Sequence, residues 1–343
     1  MYSPDGAHFA QFKQTPLLRF DETKDFESQR KAIKDKLFEL LGDMPERVPL
    51  NPVVEYQREH DTFTEYRIAF DTEKDVQAVC MLCIPKLGKK KYPLAVCMQG
   101  HSKGMHVSMG RVKYDCEEPD DGDRDIALQC LARGYAAICL DQRGMGERRT
   151  MMRDMELPAP TVDDGEPRCD VTAMSALILG RTMIGERCWD VSRAIDLALT
   201  YPEIDGDRIL CTGNSGGGTA TFYASCFDER IKVSMPSCSV CTYKDSIGAM
   251  HHCQCNYIPK IAKYVDMGDL AAVIAPRKLI IINGKVDPIF PDAGVRETYD
   301  IVKKIYASAG VPENCMLTTG DGGHRYYKKN AWAAFDKLVD WEV

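Results

Sequence analysis

Six short apolar runs recur between residues 93 and 324, each ending in glycine or a polar residue: "PLAVCMQG" (93–100), "YAAICLDQRG" (135–144), "RILCTGNSG" (208–216), "IKVSMPSC" (231–238), "RKLIIINGKVD" (277–287) and "CMLTTGDGGH" (315–324). Most are separated by stretches with helical spacing, such as "DIALQCLARG" (125–134), "RCWDVSRAIDLALTYP" (187–202) and "GVRETYDIVKKIYASAG" (294–310). Strands that are apolar on both faces and alternate with helices predict a parallel sheet covered on both sides. Ahead of them, "PVVEYQREH" (52–60), "FTEYRIAFD" (63–71) and "VQAVCMLCIP" (76–85) read as an antiparallel meander.

The expected organisation is a polar N-terminal arm and one amphipathic helix over residues 1–50, then a single α/β domain over 51–343. In "DFESQRKAIKDKLFELLGDMP" (25–45), Phe26, Ile33, Leu37, Leu40 and Leu41 repeat at helical spacing, with Gly42 and Pro45 as the stop. The segment 145–186 interrupts the strand–helix alternation at too great a length for a simple loop, and a cap or a wall over the active face is expected there. The aromatics of the arm, Tyr2, Phe9, Phe12 and Phe20, could reach a neighbouring subunit and make the chain a homo-oligomer.

The formal net charge of −7 argues against nucleic acid or an anionic membrane as the main partner. No apolar run approaches the roughly 18 residues of a membrane span. Many of the 15 cysteines, among them Cys80, Cys83, Cys97, Cys139 and Cys211, lie inside strand patterns, as small buried hydrophobes of a reducing compartment do. The N-terminus shows no secretory signal, so a cytoplasmic location is expected.

Function is concentrated at the carboxyl ends of the strands, where open α/β sheets bind ligands. Gly213-Asn214-Ser215-Gly216-Gly217 satisfies GxSxG, in which a strained strand-to-helix turn lifts a serine clear of the sheet. A serine hydroxyl needs a base oriented by a carboxylate, and on this fold the chain order is Ser, then acid, then His. Of the seven histidines only His251, His252 and His324 follow the serine, and Asp287 follows a strongly apolar strand. These positions predict Ser215 as nucleophile, Asp287 as acid and His324 as base. The backbone N–H groups of Gly216 and of His101, in the "GHSKG" loop (100–104), are the expected oxyanion donors.

In these motifs the chain resembles the α/β-hydrolase superfamily, within it the dienelactone hydrolase and acetyl xylan esterase-like branch. The resemblance covers about residues 50–343, through "CMQGHSKG", "LDQRGMGERR", "GRTMIGERCWDVSRAIDLAL", "GNSGGG", "DMGDLAAVIAPRKLIIINGKVDPIFP" and "GDGGH". It implies an eight-stranded hydrolase sheet, serine-ester chemistry and no cofactor, with the same five residues in the same roles. A short acyl group such as acetyl, on a carbohydrate or another small ester, is the substrate it implies. Position 215 is serine where dienelactone hydrolases carry cysteine, and Arg143-Gly144-Met145-Gly146 stands where cephalosporin-deacetylating relatives carry RGQG.

Three further expectations concern neighbouring residues. Arg143, Glu147 and His252 are candidates for substrate contact, although an Arg at a strand end is more often an ion-pair partner. The segment 236–257 gathers Cys238, Cys241, His251, His252, Cys253 and Cys255, but their spacing matches no common zinc module, so no metal is expected and the segment should shape the pocket. Two other functions share the pattern: a serine peptidase of the prolyl-oligopeptidase type, for whose propeller the roughly 50 residues before the meander are too few, and a non-catalytic scaffold, which has no need of all three triad residues.

Overall fold

A computed structural model describes residues 4–115, 117, 121–149 and 169–341. All nine segments read as strands form one sheet: β1 Val53–Glu59, β2 Phe63–Glu73, β3 Val76–Pro85, β4 Tyr92–Met98, β5 Ala136–Leu140, β6 Ile204–Asn214, β7 Ile231–Ser237, β8 Lys278–Gly284 and β9 Cys315–Gly320. Their order across the sheet is β1-β2-β3-β5-β4-β6-β7-β8-β9. The first three pair antiparallel and β3 meets β5 antiparallel; from β5 onward every pairing is parallel. The sheet therefore has one strand more than the eight that the resemblance implies. β1 forms one edge and is largely exposed, which suits its charged sequence.

The central strands β4 and β5 are buried at every position, because helices cover both faces. One core layer combines Ile33, Leu37 and Leu41 of the N-terminal helix with Leu94, Val96, Ile195 and Phe222; the other combines Ala95, Cys97 and Leu210 with Tyr135, Trp332 and Phe335. The N-terminal helix Phe26–Leu41 thus packs into the core of the sheet through Ile33, Leu37 and Leu41. Asp25 caps it by accepting a hydrogen bond from the Ser28 amide at 2.8 Å, and Gly42, at φ 87°, ends it.

The described part of the arm lies on its own chain. The amides of Leu17 and Leu18 donate to the carbonyls of Lys263 and Tyr264, and the Phe12 ring sits where a side chain on Gly248 would stand. Of the 145–186 insertion, residues 150–168 lie outside the described residues. The remainder supplies helix Asp170–Ile178 and the first turn of helix Met183–Ala198, which crosses the sheet as an ordinary covering helix. Among the described residues no helix is long and apolar enough to cross a membrane. All the described cysteines have free thiols, and all but Cys253 are buried.

Candidate active site

Ser215 stands between β6 and the helix Gly216–Phe227 with φ 55° and ψ −124°, a conformation outside the ordinary left-handed region and costing a side-chain-bearing residue on the order of 1–3 kcal/mol. The turn is held by the Ser215 amide, which donates to the Ser237 carbonyl at 2.8 Å, and by the Thr219 amide, which donates to the Ser215 carbonyl at 2.8 Å. Close approach explains the glycines around it. A methyl group on Gly217 would meet the Gln99 carbonyl oxygen at 2.5 Å, and one on Gly216 would meet the His101 ring at 2.8 Å. Glycine at 213, 216 and 217 therefore lets the serine turn pass this close to β4 and His101.

Asp287 follows β8 and is 4% exposed. Its Oδ1 accepts from the amides of Ile289, at 2.8 Å, and Phe290, at 3.2 Å, while Oδ2 bonds His324 Nδ1 at 2.8 Å. Burial works to raise this carboxyl, but the His324 bond and the two amides outweigh it and hold the group below the usual aspartate value. His324 is fixed on its other sides as well. Phe290 stacks on the ring at 6.0 Å, Ser237 Oγ donates to the Arg325 carbonyl at 3.2 Å, and the Tyr327 hydroxyl donates to the Gly323 carbonyl at 2.6 Å. With Nδ1 on Asp287, the Nε2 face of His324 is the one left for a substrate or a serine proton.

Ser215 and His324 line one cavity of about 380 Å³, together with His101, Arg124, Arg325 and backbone of Gly100. A larger cavity of about 1020 Å³ lies between the N-terminal arm and residues 243–263; Asp5 and His8 line it, but among the described residues no serine or cysteine nucleophile does. Chemistry, not volume, selects the smaller one. Gly100 and His101 begin the loop after β4, and a methyl group on Gly100 would stand 3.1 Å from Ser215 Cβ. The loop expected to supply an oxyanion donor therefore runs directly beside the serine.

The structure brings Ser215, Asp287, His324, His101 and Gly216 together at the carboxyl ends of β4, β6, β8 and β9. It places the three expected substrate contacts elsewhere. Arg143 is buried in an ion network, with its guanidinium on Asp190 at 2.9 and 3.0 Å, Glu73 at 2.7 Å and Glu186 at 3.2 Å. Burial acts to raise Asp190, yet Arg148 and Arg143 hold its carboxyl down at about 2. Glu147 pairs with Arg67 at 2.6 Å on the outer surface. His252 lies behind the cavity wall, with Nε2 3.2 Å from Ser246 Oγ and its ring edge-on to Phe290; burial pushes it down to about 4. All three stand beside strand ends in sequence, but none lines the cavity that holds Ser215 and His324. Arg143→Ala would remove the cation that Glu73, Glu186 and Asp190 share, leaving Arg148 and Arg181 to offset three buried carboxylates. We expect it to cost about 3–5 kcal/mol in urea unfolding, and a loss below about 1 kcal/mol would contradict the network.

The cysteines gathered in the segment 236–257 part company in the structure. Cys238, at φ 48°, lies beneath the Asp287–His324 pair and donates to the Arg325 carbonyl at 3.1 Å; burial pushes its thiol up to about 12, so it is a neutral support. Cys241 Sγ turns toward the Pro291 carbonyl, 3.8 Å away. Cys253 and Cys255 instead meet His101 and Cys169, whose ligand atoms lie within 4.8 Å of one another. Cys169 and the cavity residues Arg124 and Arg325 carried no local signal, because their neighbours in space are far away in sequence.

The model of the abhydrolase family matches residues 11–338, and the chain belongs to that family. A Bacillus subtilis (strain 168) protein named "Putative hydrolase YtaP" is 24% identical over 299 residues, spanning 85% of this chain and 92% of its own. Among solved structures, a putative acetyl xylan esterase from Bacteroides fragilis NCTC 9343 superposes with a TM-score of 0.77 at 19% identity, over 100% of this chain and 87% of that one. A glucuronoyl esterase from Solibacter usitatus gives 0.69 at 15% identity, over 95% and 98%. At these identities the likeness is one of fold, the α/β-hydrolase fold.

Proposed function

As a member of the abhydrolase family, this chain is, we propose, a serine carboxylic-ester hydrolase that removes short acyl groups such as acetyl from a carbohydrate or another small ester. The observation that carries the reading is Ser215 on a strained turn, sharing one cavity with His324, whose Nδ1 is tied to the buried carboxylate of Asp287. His324 takes the Ser215 proton as Oγ attacks the ester carbonyl, and Asp287 stabilises the imidazolium that forms. The carbonyl oxygen, negative in the tetrahedral intermediate, is held by the backbone N–H groups of His101 and Gly216. His324 returns the proton to the leaving alcohol, and a water activated by the same ring then cleaves the acyl-enzyme.

Substrate size is argued from the cavity. At about 380 Å³, near the low end for small-molecule sites, it suits a short acyl group with a sugar at the mouth. The solved structures that share the fold include proteins named a putative acetyl xylan esterase and a glucuronoyl esterase, so acetyl esters and uronate esters both belong in the test. Against p-nitrophenyl esters of two to eight acyl carbons, kcat/KM should be highest at two and fall at least tenfold by eight. Acetylated oligosaccharides should be cleaved faster than methyl esters of uronic acids. Rates that rise with chain length, or a preference for the uronate esters, would overturn the short-acyl assignment.

A further inference from the structure

The side chains of His101 and three cysteines form a cluster apart from the Ser215, His324 and Asp287 side chains. Its members come from three distant places: His101 from the loop after β4, Cys169 from the residue before helix Asp170–Ile178, and Cys253 and Cys255 from the segment after β7. All four ligand atoms, His101 Nε2 and the three Sγ atoms, lie within 4.8 Å of one another, and His101 Nε2 is 3.1 Å from Cys255 Sγ. Zinc–sulfur bonds of about 2.3 Å and zinc–nitrogen bonds of about 2.0 Å place tetrahedral donors roughly 3.5–3.8 Å apart. The observed spread closes to that with small side-chain movements.

A second observation is electrostatic. Arg187 is 1% exposed, and among the described residues no carboxylate pairs with it. One of its terminal nitrogens, Nη2, donates to the Arg143 carbonyl at 2.7 Å and reaches Cys169 Sγ at 3.4 Å, while Nε and Nη1 have no hydrogen-bond partner among the described residues. A buried guanidinium without a counter-charge is costly. Three thiolates, a neutral imidazole and one divalent cation sum to −1, which this guanidinium balances. Cys169 and Cys255 also belong to a small apolar cluster with Met145, Ala173 and Met183, a dry shell of the kind that surrounds closed metal sites.

We propose that His101, Cys169, Cys253 and Cys255 bind one structural Zn²⁺, with Arg187 as the charge-balancing neighbour. Four donors close the coordination sphere, so the ion has no open position for substrate. On binding, the three thiols release their protons to solvent and the imidazole binds as the neutral ring. The metal site stands independently of the esterase reading. A second consequence rests on that reading: because the His101 ring lies against Gly216 and its backbone begins the loop beside Ser215, the ion acts as a clamp that positions both oxyanion donors. His101 is in this sense a positioning residue through its side chain.

The test uses the full chain, purified without a metal-affinity step. Elemental analysis should find one zinc per chain. After removal of zinc and addition of Co²⁺ alone, sulfur-to-cobalt charge-transfer absorption and the intense visible bands of tetrahedral cobalt should appear. Cys169→Ser and Cys255→Ser should each lose most of the metal, and so should His101→Ala, which keeps its backbone donor. Wild-type protein that is folded, free of metal and spectroscopically silent with Co²⁺ would overturn the site. So would an intact mass 2 Da low from a disulfide within the cluster, or zinc retained in all three variants. Ser215→Ala should keep its full zinc, which separates failure of the metal site from failure of the esterase reading. For the clamp, His101→Ala should lower kcat about 10- to 100-fold with little change in KM, and an unchanged kcat would refute it.

Discussion

Ser215→Ala will lower kcat on short-chain esters by about 10⁴- to 10⁶-fold while leaving the fold intact. The size follows from the chemistry: without Oγ there is no acyl-enzyme, and what survives is direct water attack assisted by the oxyanion donors alone. The stability expectation follows from the structure. The Ser215 side chain makes no capping bond to the helix it precedes, and the turn is held through backbone groups and flanking glycines. Alanine inherits the same strained backbone, so the urea midpoint should move by no more than about 0.5 kcal/mol. Undiminished hydrolysis in the variant would remove Ser215 from the mechanism.

Asp287→Asn should cost about 10³- to 10⁴-fold in kcat with KM nearly unchanged. The carboxylate makes three hydrogen bonds, two from loop amides and one from His324. Asparagine can keep the loop bonds through its carbonyl, but it has no charge to stabilise an imidazolium, and its NH₂ would favour the wrong tautomer of the ring. The same substitution has a pH signature. Because folding holds the Asp287 carboxyl below its ordinary value of 3.8, the ionised form contributes stability that is fully present above that value and is lost as pH falls through the lower folded value. Asp287→Asn should therefore destabilise the chain above about pH 4 and make its acid unfolding shallower. A kcat within tenfold of wild type would show that His324 is oriented by something else.

The strands and the central constellation were legible because they depend on local pattern. Apolar runs such as "RKLIIINGKVD" mark buried parallel strands wherever they fall, and "GNSGG" has a steric reason visible in five residues. His324 and Asp287 could be chosen because chain order on this fold leaves few alternatives. The sheet count missed by one, since the resemblance implied eight strands although the sequence carried nine strand-like segments. What sequence spacing could not show was which charged and sulfur-bearing groups meet. Arg143 looks like a substrate residue until Glu73, Glu186 and Asp190 converge on it from β2 and a covering helix. Cys169 meets Cys253 from 84 residues away, and no local motif encodes that distance. Cys238 and Cys241, which form the conspicuous CxxC, separate to support the acid loop instead.

Reaction of the folded chain with a fluorophosphonate, followed by peptide mapping, tests the central assignment most directly, because the reagent phosphonylates only a serine already activated by its base and oxyanion donors. One adduct per chain is expected on Ser215, none in Ser215→Ala and slow labelling in Asp287→Asn. Folded wild-type protein left unlabelled at saturating reagent, or labelled at another residue, would contradict it.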